Sequence, residues 1–504
     1  VGLPQSAAAG PPNARLWSFT VTAETSVTYS DNATLAPPGQ ARSDLILGLR
    51  LPMTASRIGP RFKLELNYAP AYYVYTKGRQ SDEWQNYLKG GLSAELAPNR
   101  AYIDAAAIVD QTYASPFAAR PDTGTGSTSN RTEQRALRVS PYVRSTNLSG
   151  WQYVARDDAE VNTYTDNALD DSWVNRVQLA LRSPPARLRE QVDYSYLYTK
   201  FSSRPDGDYQ QVARLRPLFG VTPQLSVGGR VGYETNDYEG AKNSGAVYGA
   251  QVNWTPSDRT GLDGFVEHRF FGEAYGLDFT ARSRRTVLRL GASRNAVAPG
   301  DQTFGESASA VSVLLDDPFR PGASDPSSRI SRVPPAGSLG FRPDPLVAQA
   351  GLSPVLPNTT SVYANQVYVS RKLGASLALI GHRNVVEADV FWEENEALTS
   401  GGAEPVFSGT DRFRQKGARI TVSHQLSPYS SIGVTATRLD ATPLGNYTPS
   451  SVVQKSTQDS VTMLLTRRLG RKTSASLGLR WTDFDAQVSP YRETAVFATL
   501  AHSL

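Results

Sequence analysis

The chain has 504 residues and a net charge of +5, with no cysteine, two methionines and four histidines against 24 tyrosines. This composition excludes a disulfide framework, a thiolate nucleophile and a metal site built on Cys or clustered His. The basic residues are scattered rather than run together, so nothing marks a nucleic-acid partner. No run of 18 apolar residues exists, which excludes a transmembrane helix but not a membrane crossed by strands.

Residues 1–12 read as a mature terminus left after removal of a signal segment, and residues 1–14 as a flexible periplasmic N-terminus too short to form a plug. From residue 15 to residue 504 a strand of some 10–16 residues alternates with a turn, which predicts a single barrel. The turns sort by length. Those at 54–60, 97–100, 145–150, 182–186, 220–224, 256–259, 283–285, 382–384, 426–430 and 469–472 are short. Those at 30–42, 77–83, 115–132, 165–171, 204–208, 236–243, 299–359, 399–410, 441–457 and 483–490 are mostly longer and polar, with a tight exception at 272–274. Short turns on one rim and long loops on the other are the pattern of an outer-membrane barrel.

Within each strand the period is two. Over residues 61–75, Phe62, Leu64, Leu66, Tyr68, Tyr72 and Val74 share one face while Lys63, Glu65 and Asn67 share the other. Over residues 384–394, Val386, Ala388, Val390 and Trp392 oppose Glu387, Asp389, Phe391 and Glu393. The expected fold is therefore all-β: an antiparallel transmembrane barrel of about 22 strands (range 18–24) in the bacterial outer membrane, with both termini periplasmic. A lumen too wide to be filled by side chains requires the polar face inside. The stretch 299–359, rich in Pro, Gly and Ser, is expected to be an extracellular loop lying over or in the pore mouth.

The inward phase supplies the candidate lumen residues. Its bases are Lys63, Arg138, Arg144, Arg176, Arg182, Arg189, Arg214, Arg216, Arg230, Arg269, Arg282, Arg289, Lys372, Arg419 and Arg480. Its acids are Glu65, Asp193, Glu234, Glu267, Asp278, Glu387, Asp389 and Glu393. That balance predicts a positive lumen selecting anions. Inward aromatic residues are few in this reading: Tyr73, Phe265 and Phe391. Trp173, Tyr194, Tyr196, Tyr198, Tyr233, Trp254, Trp392 and Trp481 fall in the outward phase at strand ends, where aromatic girdles belong. No nucleophile elbow, Walker loop, dinucleotide fingerprint or zinc-protease motif occurs, so no catalytic residue, metal site or cofactor is expected. His268, out of phase with Glu267 and Arg269, is read as facing lipid rather than acting as a base.

Several stretches resemble the outer-membrane barrels associated with exosortase/PEP-CTERM systems. They are VTAETSVTYSDNATL (21–35), SDLILGL (43–49), NRTEQRALRVSPYVRS (130–145), FFGEAYGLDFTARSRRTVLRLGASRN (270–295), NQVYVSRKLGASLALIGHRNVVEADVFWEENEAL (365–398) and YRETAVFATL (491–500). The resemblance implies a passive outer-membrane conduit that secretes an exopolysaccharide received from a periplasmic polysaccharide-export protein. The surrounding partners would be outer-membrane lipids and lipopolysaccharide. It implies no catalytic residues. Two alternatives stand beside it: a porin-like channel for small anionic solutes, and a scaffold barrel that sheathes or docks a partner protein.

Overall fold

The computed structural model describes residues 17–298, 303 and 366–504. Short stretches at 60, 79, 122–123, 127, 147–148, 167–168, 239–240, 258, 399–406, 408 and 448–453 fall outside that description. The expected N-terminal segment 1–14 and nearly all of the loop 299–359 therefore lie outside the described residues. Consecutive strands pair antiparallel throughout, and the first strand (Ser18–Ser30) pairs with the last (Tyr491–Ser503) from Thr22↔Ser503 to Ser30↔Ala495. That pairing closes the sheet into a barrel of 22 strands among the described residues. Three of the strands are interrupted: Asp44–Arg50 continues as Met53–Ile58, Phe62–Tyr68 as Ala71–Tyr75, and Glu83–Gln85 as Leu88–Ala97.

Two of the interruptions contain a proline, and the third, at Asn86–Tyr87, lies opposite one of them. Pro52 and Pro70 carry no N–H, so neither can donate to a ladder. Their carbonyls still accept, from Thr22 N at 2.8 Å and Leu51 N at 3.0 Å, and Ala69 N reaches Tyr87 O at 2.8 Å. The breaks thus line up across neighbouring strands, with backbone hydrogen bonds still running across them.

Loop lengths sort by rim. One rim carries connections at 59–61, 98–100, 223–224, 283–285, 381–383 and 428–429; the other carries 31–43, 114–130, 202–207, 298–367 and 398–409. The expected loop at 236–243 is a correction: Leu225–Tyr238 and Ala241–Ser257 extend into it from both sides, pairing up to Tyr238↔Ala241. The tight exception falls at 270–271 rather than 272–274, and Gly272 takes φ +95°, a conformation that L side chains rarely adopt.

Each wall has two faces. In Ser172–Arg182, Trp173, Leu179 and Leu181 are exposed while Val174, Arg176 and Ala180 are buried. The exposed set around the barrel is apolar, including Leu47, Leu137, Leu215, Val390, Ile420, Leu479 and Leu500. An apolar exterior of this extent around a closed sheet is the architecture of a membrane-spanning barrel, in which every backbone group is paired and the lipid side is greasy.

Candidate functional site

The interior wall is charged, and many of its charges are paired in clusters. Glu267 is the hub of the first cluster. Arg214 Nη2 lies 2.9 Å from one of its oxygens and Arg230 Nε 2.9 Å from the other, with Arg269 Nε at 3.8 Å. Arg269 also binds Glu234 at 2.7 Å, and Arg216 binds Asp193 at 2.7 Å. Gly249, directly opposite Glu267, makes room for this convergence: a Cβ there would meet the Glu267 Cβ at 2.8 Å. Arg230 lies over the ring of Phe265 at 4.2 Å.

Three further clusters follow around the barrel. Arg138 binds Glu160 at 2.6 Å, and Arg156 binds both Asp104 at 3.0 Å and Asp158 at 2.8 Å. Arg419 binds Asp389 at 2.8 Å, beside Lys372 and Glu393 at 3.1 Å. Arg480 binds Glu493 at 3.0 Å, and Ser30 Oγ donates to the same carboxylate at 2.7 Å across the closing seam.

The remaining candidate residues lie in the half of the barrel nearer the short turns. Arg144 stands over Tyr102 at 4.7 Å, Arg182 donates to Gln191 at 3.2 Å, and Arg189 reaches Ser226 Oγ at 3.5 Å. Arg282, Glu65 and Asp278 are exposed to the lumen; Arg289 and Glu387 are half-buried in it. Arg176 is buried.

Two expectations change here. The acids Glu24, Asp104, Asp158, Glu160 and Glu493, absent from the inward set read from sequence, share the interior with the arginines. With the bases Arg50 and Arg156, also inward and also missed, they reduce the positive surplus. The interior also holds more aromatic surface than Tyr73, Phe265 and Phe391: Tyr102 stacks on Tyr142 at 5.0 Å, Arg156 covers Tyr142, and Phe497 packs over Gly478. On the outside, Trp173, Tyr233, Trp254 and Trp481 are exposed, and Trp173 meets Tyr198 edge-on at 5.6 Å. Tyr194 is not at a strand end. With Tyr196 and Tyr198 it forms a column running up one strand from its middle, opposite Leu179. Trp392 sits between two arginines of the outer face. His268 is on the outer wall, stacked on Tyr248 at 5.1 Å and 3.2 Å from Glu273.

The mouth on the long-loop rim is crossed by polypeptide. The loop 114–130 leaves the fifth strand (Ala101–Tyr113) and docks on the far wall. Phe117 is buried with Val297, Tyr368, Phe407, Phe413 and Ala441. Ala119 packs against Leu35, Phe484 and Tyr491. Gln458 Nε2 donates to the Arg120 carbonyl at 2.8 Å, and Gln415, with its amide oxygen turned inward, accepts from the Arg120 guanidinium at 3.1 and 3.2 Å. Burial pushes that guanidinium down to about 10, so it stays charged at neutral pH. Asn130 holds the neck of the loop through Ser115 N at 2.7 Å and Ser115 O at 3.0 Å. Arg131 holds its return limb through Gly126 O at 2.9 Å and through a two-pronged pair with Glu83 at 2.8 and 2.7 Å. From the other side, Thr303 bonds Gln134 at 2.7 Å and Asn162 at 3.1 Å. It follows the fifteenth strand (Thr286–Val297) but touches the sixth (Arg131–Thr146) and seventh (Gln152–Tyr164). Closure was expected chiefly from 299–359; among the described residues the loop 114–130 supplies most of it. Its sequence signal was modest: Phe117 after a proline inside an otherwise polar loop.

Among the described residues no three potential ligands gather to hold a metal ion. No protein family matches the chain, and no curated protein does. Solved structures do. A siderophore receptor, PirA, from Acinetobacter baumannii is 9% identical over 96% of this chain and 80% of that one, with a TM-score of 0.46. The ferric enterobactin receptor PfeA of Pseudomonas aeruginosa gives the same figures. The protein OccK5 (OpdH) of Pseudomonas aeruginosa is 6% identical over 96% and 98% of the two chains, with a TM-score of 0.33. Likenesses this distant say nothing of ligand or cargo, and the chain is left defined by its own geometry: a closed membrane-spanning barrel with a charge-paired lumen and an occupied mouth.

Proposed function

We propose that this protein is a loop-occluded conduit in the outer membrane, with its short turns in the periplasm and its long loops at the cell surface, and that its cargo is an exopolysaccharide handed over by a periplasmic export protein. The observation that carries the reading is the loop 114–130 docked across a polar lumen. A ring of 22 strands is too wide for its own side chains to fill, so a separate segment must close it, and a docked segment can also undock. The lining suits a neutral or weakly charged chain of sugars. Paired Arg–carboxylate arrays offer donors and acceptors in alternation without the strong net field that would trap an ion, and Tyr102 and Tyr142 add flat surface. The cargo itself rests on the sequence resemblance.

The decisive experiment is deletion of the gene in a polysaccharide-producing host. Loss of surface polysaccharide with normal uptake of small solutes is the expected outcome. Normal surface polysaccharide with slowed uptake of small anions would move the assignment to a porin. One observation favours that second reading: Lys63, Arg189 and Arg282 face the lumen near the short-turn rim with no carboxylate at ion-pair distance among the described residues. Recovery of a stoichiometric protein seated in the lumen would favour the scaffold.

A further inference from the structure

The outer wall carries a feature that the conduit does not use. On the exterior of the strands Gly272–Arg282, Thr286–Val297, Tyr368–Ile380, Asn384–Ala397 and Thr410–Ser427 lies a groove of ≈ 650 Å³. Its floor is small (Ala292, Ala375 and Ala418) and its sides are Leu277, Leu373 and Val390, with a charged end at Lys416, Arg438 and Asp440, where Asp440 pairs with both bases. Each of those three side residues is exposed on the lipid-facing phase. Trp392 closes the groove on the side of the long loops.

Directly above it, in one row of cross-strand partners, stand Tyr275, Arg294, Arg371, Glu394 and Arg414. Arg294 and Arg371 are directly opposite each other, and like charges so placed repel. Among the described residues neither has a carboxylate at ion-pair distance: Arg371 donates to Tyr275 Oη at 3.0 Å, and Arg294 donates to the Glu273 and Phe271 carbonyls at 2.5 and 3.2 Å and lies over the Phe271 ring. Arg371 and Arg414 both lie over the Trp392 ring, at 5.3 and 5.5 Å. Glu394, the one acid of the row, is already taken by Arg412 and Arg414.

Two facing guanidiniums without a carboxylate, above an apolar groove and beside an indole, form an anion site with a tail channel. We propose that this face binds an acylated, phosphorylated glycolipid of the outer leaflet, one acyl chain lying in the groove and its phosphates on Arg294, Arg371 and Arg414. Guanidinium forks match phosphate oxygens two at a time. The row from Arg294 to Arg414 spans three strand spacings, about 14 Å, wider than a single phosphate and suited to a sugar headgroup with two. Trp392 and Tyr275 offer ring surface and a hydroxyl to the sugar.

The inference rests on the orientation proposed above, but its test does not. Purified barrel in mild detergent would be titrated with a diphosphorylated, hexa-acylated glucosamine disaccharide, with phosphatidylglycerol and with inorganic phosphate, following its thermal unfolding. The disaccharide lipid is expected to raise the unfolding temperature where the other two do not. The double variant Arg294→Gln/Arg371→Gln should bind it about a hundredfold more weakly, about tenfold per guanidinium. Ala375→Phe, which fills the groove but keeps the charges, should weaken the acylated lipid and leave its deacylated headgroup unaffected. An equal response to phosphatidylglycerol, a response to phosphate alone, or no change in either variant would overturn the proposal. Labelling of a cysteine placed in the loop 202–207 on intact cells tests the orientation separately, so the two ideas can fail independently.

Discussion

Glu267 accepts from guanidiniums on two strands beyond its neighbour, Arg214 and Arg230 reaching across Ala241–Ser257, while a third, Arg269, approaches from its own. Removing a single partner from such a group leaves uncompensated buried charge, which costs about 3–5 kcal/mol. Glu267→Gln should therefore lower the unfolding free energy measured by denaturant titration by that amount. Asp278→Asn, at an exposed interior position with no ion pair, should change it by less than about 0.5 kcal/mol. Equal effects would mean that the lumen screens both sites alike. Glu267 was legible from sequence because its strand alternates cleanly. Asp104, Asp158 and Glu160 were not. In Ala101–Tyr113 the inward phase also holds Ala106 and Ile108, and in Gln152–Tyr164 an acid, Asp157, stands in the outward phase beside Asp158. Where both phases mix, the period gives no face.

The strands and their turns follow local rules: period two, proline breaks, short against long connections. The docked loop does not, because Arg120 and Gln458 are 338 residues apart and nothing in either neighbourhood announces the other. Phe117 is the anchor of that docking, and truncating a buried phenylalanine costs about 3–5 kcal/mol. Phe117→Ala is expected to populate the undocked loop at least about a hundredfold more, seen as large, long-lived conductance steps in planar bilayers where the parent protein is mostly closed. Unchanged conductance would show that the loop is not the barrier. Arg120 adds a pH signature. Its docked guanidinium is held down at about 10, against the higher value of a solvated one, so docking is weakened wherever the free loop is charged and the docked one pays for that charge. Raising the pH through about 10 should relieve this and make openings rarer, and Arg120→Met should abolish the trend.

At the scale of the whole barrel, the pairing of many lumen cations with carboxylates among the described residues predicts weak ion selectivity once the loop is displaced. The reversal potential of the Phe117→Ala channel in a salt gradient should lie near zero with a small lean toward anions, set by Lys63, Arg189 and Arg282 at the short-turn rim. Arg189→Glu with Arg282→Glu should carry it to cation preference; strong anion selectivity that survives both changes would point to a different filter. The seam between Ser18–Ser30 and Tyr491–Ser503 has a consequence for how the molecule is made. Its partners are the most distant in the chain, so the wall becomes continuous only when the C-terminal strand arrives. Until then the N-terminal strand is an open edge, ready to pair with any other chain, and the contact order of the last step is the largest the protein has. Biogenesis must therefore shelter that first edge throughout and finish by zipping the seam, with Ser30, Arg480 and Glu493 forming their buried bonds as the final stitch.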